Sequence, residues 1–146
     1  MSAERTTDPR MLAFVAEHHR GVLATIRADG RPQLSNLFYT YDPDADLVRI
    51  SVTADRAKTR NIAGDPRVTL HVTSPDFWTW VAVDGTAELT PVAADPQDAT
   101  VEELVTYYRA VNGEHDDWDA YRAAMVTDRR LVIRFQPDHT YGQLPG

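Results

Sequence analysis

Three cations within five residues, Arg56, Lys58 and Arg60, occupy the run Arg56-Ala57-Lys58-Thr59-Arg60-Asn61. The run falls where a short helix is expected to begin. The first turn of a helix leaves backbone N–H groups unpaired and carries the positive end of the helix dipole, so it favours an anion and disfavours cations. Three positive side chains placed there need compensation, and a phosphate would provide it. The other reading is a solvated basic turn satisfied by the neighbouring Asp55 and Asp65, since a short basic cluster is by itself a signal of low specificity. Lysine is singular in this chain: of 15 Lys+Arg, 14 are arginine and the one lysine is Lys58.

Two further groups could serve a ligand. In Gly30-Arg31-Pro32-Gln33-Leu34-Ser35-Asn36, strand alternation puts Gln33 and Ser35 on one face and Leu34 and Asn36 on the other. Polar side chains in such a strand could hydrogen-bond the edge of a heteroaromatic ring; the plainer reading is a strand with one solvated face. In Phe77-Trp78-Thr79-Trp80, clustered aromatics could wall a planar ligand, form a dimer contact or pack in the core. As strand residues, Trp78 and Trp80 would share a face. The five histidines, His18, His19, His71, His115 and His139, show no metal-ligand spacing, and the sequence carries no P-loop, G-x-S-x-G elbow or G-x-G-x-x-G run. No side chain reads as an activated nucleophile, so chemistry borne by a cofactor fits better than chemistry borne by the protein.

The elements that must position these residues follow from pattern. Asp8-Pro9 reads as a helix start, with a helix from Pro9 to His18. Strand runs follow at Gly21–Arg27, Pro32–Tyr41 and Leu47–Val52, separated by Ala28-Asp29-Gly30 and by 42–46 as turns. A helix over Arg56–Ala63 is closed by Gly64-Asp65-Pro66. Strands are expected at Arg67–Val72 and Phe77–Leu89, with Gly85 marking a bulge or a close backbone approach. Thr100 to Glu103 reads as a capping box opening a helix that stops at Asn112-Gly113. Asp116 or Asp117 caps another helix, Leu131–Phe135 is the last strand, and the tail is rich in turn formers. The order α-βββ-α-ββ-αα-β predicts a mainly β fold, a six-stranded antiparallel barrel with peripheral helices, and argues against Rossmann and TIM architectures.

Composition bounds the class. A chain of 146 residues suits a single domain over 1–146, with residues 1–8 expected as a flexible N-terminus. No cysteine is present, which excludes disulfides and thiolate metal sites. The net charge of -7 gives no overall field to draw nucleic acid or an anionic membrane. No apolar run approaches the roughly 18 residues of a membrane span, and the N-terminal residues lack a signal-peptide core. The expectation is a cytoplasmic protein whose anionic ligand must find a local basic patch.

The blocks GVLATIRADGRPQLSNLFYTYD and ISVTADRAKTRNIAGDPRVTLHV resemble the pyridoxamine-phosphate-oxidase-like split β-barrel proteins. More narrowly they resemble the actinobacterial flavin/deazaflavin oxidoreductases, class B, which use the deazaflavin coenzyme F420. GEHDDWDAYRAAMVTDRR and the ending HTYGQLPG are similar to one mycobacterial branch, so the resemblance runs from about Leu12 onward. It implies an FMN-binding type of split barrel that forms a homodimer with cofactor sites at the interface. It implies coenzyme F420 as cofactor, with FMN in an oxidase, or a non-catalytic carrier of F420, as the alternatives. The R-x-K-x-x-N motif would make Arg56 and Lys58 the phosphate ligands, helped by Ser51 and Thr53. The segment along the ring would supply Pro32, Gln33, Ser35 and Asn36, and Trp78 would approach from the partner subunit. Arg31 and Arg60 are candidates for the acidic tail of the deazaflavin. The implied reaction is hydride transfer from reduced deazaflavin to an electron-poor small-molecule acceptor.

Overall fold

The computed structural model describes residues 5–145. After helix α1 (Pro9–Ala16) come strands β1 (Arg20–Ile26), β2 (Pro32–Phe38), β3 (Thr40–Asp42) and β4 (Leu47–Thr53), then helix α2 (Ala57–Gly64). Strands β5 (Arg67–Thr73), β6 (Trp80–Thr86) and β7 (Glu88–Leu89) precede helices α3 (Ala99–Asn112) and α4 (Trp118–Thr127). Strands β8 (Arg130–Phe135) and β9 (His139–Gln143) complete the order. The strands form a five-stranded sheet, β2-β1-β5-β6-β9, and a four-stranded sheet, β3-β4-β8-β7. All the strand pairs are antiparallel.

The fold is mainly β, as expected, but the strand count is not six. Among the described residues, pairing leaves two open sheets rather than one closed six-stranded barrel. Two expected runs are each cut by a residue that changes sheets. Pro32–Tyr41 divides at Tyr39, which is fully buried, donates its phenol O–H to the Val15 carbonyl (2.6 Å) and its N–H to the His19 carbonyl (2.8 Å). Phe77–Leu89 divides at Ala87, whose N–H is taken by the Pro66 carbonyl (2.7 Å). At its start, Phe77 has φ 79° and belongs to a loop, so Trp78 lies outside the strand that carries Trp80. The tail forms β9 rather than turns. Its Gly142 is there for space: a Cβ would run into the Trp80 carbonyl and the Val81 Cα. Gly85 likewise marks a close approach, not a bulge, since the β5–β6 register is unbroken and a Cβ would crowd the Phe135 ring.

The core lies between the sheets. Leu23, Leu70, Val72 and Val83 face Val48, Ile50, Ile133 and Phe135. Helices α3 and α4 cover the outer side of the four-stranded sheet, packing Leu104, Tyr121 and Met125 on Val132. The α3 cap is Asp98, which accepts from the Val101 N–H (2.9 Å), not the expected Thr100; the Thr100 hydroxyl donates instead to the Pro91 carbonyl (2.8 Å). Glu103 reaches back to no cap because it pairs with Arg49 (2.9 Å) and Arg134 (3.1 Å). Of the two aspartates expected before α4, Asp117 is the cap. Of the expected loose N-terminus, residues 1–4 lie outside the described residues. Thr6 and Asp8 bond to Asp138 and Thr140 through their N–H groups (both 2.9 Å). No helix among the described residues is long and apolar enough to cross a membrane.

Replacing Tyr39 by Phe removes the phenol donor to the Val15 carbonyl at the sheet switch and leaves that carbonyl the longer bond from the His18 N–H (3.3 Å). Losing one buried hydrogen bond of this kind costs about 0.5–1.5 kcal/mol. Denaturant unfolding of Tyr39→Phe is expected to show a loss in that range with an unchanged m-value; wild-type stability would mean that the His18 N–H satisfies the carbonyl alone.

Candidate functional site

Helix α2 is pinned by two buried side chains. Ile62 enters the core, and the Thr59 hydroxyl donates to the Thr53 carbonyl at the end of β4 (3.0 Å). Its N-cap is Arg56, which supplies no side-chain acceptor to the first-turn N–H groups. Those groups therefore stay available to an external anion. Beside them, the Ala54 N–H donates to the Arg129 carbonyl (3.0 Å), and Thr53 faces Arg130 in the β4–β8 register. The end of β4 thus brings the start of β8 against the start of α2.

The electrostatics separate the two readings of the basic run. No described carboxylate forms an ion pair with Arg56, Lys58 or Arg130. The Asp55 carboxylate accepts from the Thr53 hydroxyl (2.8 Å), its carbonyl takes Arg60 (2.5 Å), and Asp65 is held by Arg67 (2.7 Å). Asp55 feels the charges of Arg56 and Arg129 but forms an ion pair with neither, and Asp65 is taken by Arg67. Lys58 is half-buried, and its pKa is pushed below the usual 10.5 by burial and by the charges of Arg56 and Arg130. Crowded cations without a counter-charge are a cost to the fold that an anion would relieve.

Strand β2 supplies the polar row. Gln33, Ser35 and Leu37 are half-buried on one face, while Leu34, Asn36 and Phe38 are exposed on the other. Asn61 of α2 donates to Gln33 Oε1 (2.7 Å) and Thr25 Oγ1 (3.1 Å). With its oxygen so engaged, Gln33 presents its amide N–H groups. A groove of about 520 Å³ opens on Gln33, Ala57 and Asn61, and another of about 340 Å³ on Leu37, Ser51, Tyr107 and Arg130. From Gln33 to Leu37 the half-buried row spans about 13 Å at the usual strand rise, the scale of a planar tricyclic ring.

The expected site residues do not all converge within one chain. Ser51, Thr53, Arg56 and Lys58 share the junction of β4, β8 and α2, and Gln33 is tied to it through Asn61. Pro32 is exposed at the start of β2, and Asn36 points to the opposite face from Gln33 and Ser35. Trp78 is 69% exposed in the β5–β6 loop, edge-on to Phe77, where it lines neither groove. Arg60 spends its guanidinium on the Asp55 carbonyl, and Arg31 is exposed. Sequence reasoning missed Arg130 and the positioning role of Asn61. The pair Arg129-Arg130 directly before the last strand was the available signal for the first. Among the described residues no cluster of His, Cys, Asp or Glu could hold a metal ion.

Residues 7–143 match the family model described as pyridoxamine 5'-phosphate oxidase. An F420H(2)-dependent biliverdin reductase of Mycobacterium tuberculosis is 28% identical over 131 residues, covering 90% of this chain and 84% of that protein. A solved F420 reductase is 28% identical, superposes with a TM-score of 0.65 and covers 89% of this chain and 95% of that one. A conserved hypothetical protein from Mycobacterium tuberculosis, 22% identical, shares the fold with a TM-score of 0.72 over 100% of this chain and 94% of that one.

An anion held at Lys58 raises the pKa of its ammonium relative to the free protein. Affinity is then complete below the free-protein pKa and falls as pH rises towards the bound value. Sulfate, a dianion throughout, is expected to bind progressively less well as the pH climbs into the range just below 10.5. In Lys58→Arg, whose charge does not titrate there, that decline should flatten. A calorimetric titration series in pH checks it, and an identical decline in both proteins would remove Lys58 from the site.

Proposed function

The chain belongs to the pyridoxamine 5'-phosphate oxidase family, and from that premise we propose that it is an oxidoreductase that binds coenzyme F420 and reduces an electron-poor small molecule. The observation that carries the reading is the set of unpaired cations at the start of α2, the helix whose Asn61 bonds the half-buried polar row on β2. The similarity to two F420-linked reductases supports F420 over FMN. The donor set fits: cations and free helix N–H groups for a phosphate, amide and hydroxyl groups for a ring edge, and a buried guanidinium nitrogen without a partner among the described residues.

In this reading Arg56 and Lys58 hold the cofactor phosphate, with the Ser51 and Thr53 hydroxyls beside them. Gln33, oriented by Asn61, and Ser35 meet the polar edge of the ring, with Pro32 at its end. The reduced deazaflavin supplies the hydride. The chain's own work is to bind, to orient and to exclude water, which is where rate is gained when a cofactor does the bond chemistry. The accompanying proton can come from solvent, so no acid–base pair is required of the protein.

A second copy of the chain completes the site. The outer face of the five-stranded sheet leaves Leu34, Phe38 and Tyr141 at 46–66% exposure, and Asn36 lies on that face. Exposed apolar side chains gathered on one sheet face suit an interface. Trp78, held out on its loop, would then reach the cofactor of the partner subunit.

Fluorescence titration with coenzyme F420 and, in parallel, FMN tests the proposal. F420 is expected to bind more tightly, and its reduced form to be oxidised by an enone, quinone or tetrapyrrole faster than without protein. Lys58→Ala should weaken F420 by about 1.5–3 kcal/mol, the scale of a hydrogen bond to a charged group. Preference for FMN would make the protein a flavin oxidase of the same fold, binding without turnover would make it a carrier, and binding of neither would end the cofactor reading.

A further inference from the structure

Arg130 is the cation at this junction that sequence reasoning did not identify. Its Nε is buried and has no hydrogen-bond partner among the described residues, and Nη1 reaches only the Ser51 hydroxyl, at 3.4 Å. A buried guanidinium nitrogen without an acceptor is costly, because the group has lost its water without replacement. No carboxylate repays it: the ion pairs on the same face of β8 and β4 involve Arg134 and Arg49, which take Glu88, Glu103 and Asp42. Arg130 stands opposite Thr53 in the strand register and presses on Lys58 electrostatically, so it belongs to the same crowd of charges. It also lines the 340 Å³ groove with Ser51 and Tyr107, so space for an acceptor lies against it.

Resting on the cofactor reading above, we infer that Arg130 is a third cation of the phosphate site, closing it from the β8 side and donating its buried Nε–H to a phosphate oxygen. Arg56 and Lys58 then approach from the helix start and Arg130 from across the end of β4. The Ser51 hydroxyl, accepting from Nη1, holds one arm of the fork beside the groove that both residues line. Tyr107 supports the arrangement from above: its phenol donates to the Phe38 carbonyl (3.1 Å) and walls the groove on the α3 side.

The test titrates wild type, Arg130→Gln, Arg130→Lys and Lys58→Ala with coenzyme F420 and with its phosphate-free deazaflavin counterpart, and records a melting curve for each. Arg130→Gln is expected to weaken F420 by about 10-fold or more, the scale of one lost charged hydrogen bond, and to leave the phosphate-free compound as in wild type. Arg130→Lys, which keeps the charge but has no Nε–H, should fall between. An equal loss for both compounds would mean that Arg130 acts through the fold, which overturns the inference. Wild-type F420 affinity in Arg130→Gln alongside a loss in Lys58→Ala overturns it while leaving the cofactor reading intact. Wild-type affinity in both variants overturns the two together. Should Arg130→Gln fail to fold, Arg130→Lys decides: a several-fold loss specific to F420 supports the inference, and wild-type affinity refutes it.

Discussion

The passage of the chain between the two sheets at Tyr39 is the constraint on which the site depends. A strand that ran straight from Pro32 to Tyr41 would lie wholly in the five-stranded sheet. Because Tyr39 turns into the core and bonds to Val15, β3 enters the other sheet and β4 follows beside it. The end of β4 then arrives next to α2, with β8 paired along it. The polar row of β2 and helix α2, whose start carries the cations, belong to different sheets' connections, and this switch brings them into contact. The Asn61–Gln33 hydrogen bond is the direct tie between them.

The basic cluster is tolerable to the fold because its supports are made elsewhere. Thr59 and Ile62 anchor α2 without using any charge, and β4–β8 pairing fixes Arg130 through its backbone. The side-chain ends are left with repulsion and unmet hydrogen bonds. That is the pattern expected of a binding site, where local satisfaction is given up for a ligand. The neighbouring network of Arg49, Arg134, Glu88 and Glu103 shows the contrast, since there each arginine has its carboxylate.

What was legible in the sequence was local. Strand-forming runs between turn signals located β1, β4, β5 and β8; Asp8, Gly64 and Asn112-Gly113 marked helix ends; and the basic run stood out by charge alone. Positions where a residue serves two sheets were not legible. Tyr39 carries good strand propensity, and Ala87, a weak strand former, is not a turn former either, so nothing in period-2 alternation shows that the chain turns there. Gly142 was misread because close approach to Trp80 and a turn call for the same residue. Arg130 was hidden for a different reason: its role arises from a register partner 77 positions away, Thr53, which only the folded sheet pairs with it. Asn36 and Gln33 were correctly set on opposite faces, yet that same alternation keeps them from serving one ligand within a single chain.

The net charge of -7 also shapes how such a site must work. At physiological salt, charges further apart than about 8 Å are largely screened, so the acidic surface does little either to repel or to steer an anionic cofactor once it is near. Recognition then rests on contacts inside that distance, where no described carboxylate forms an ion pair with Arg56, Lys58 or Arg130 and Asp55 only feels the charge of Arg56. The same balance limits non-specific capture of polyanions, which need an extended positive face to release many counterions. A small concentrated anion gains from the cluster, and a long polyanion must extend beyond it over a protein of net negative charge. An acidic protein with one sharply local basic site is therefore selective by its charge arrangement before any contact with the ring is made.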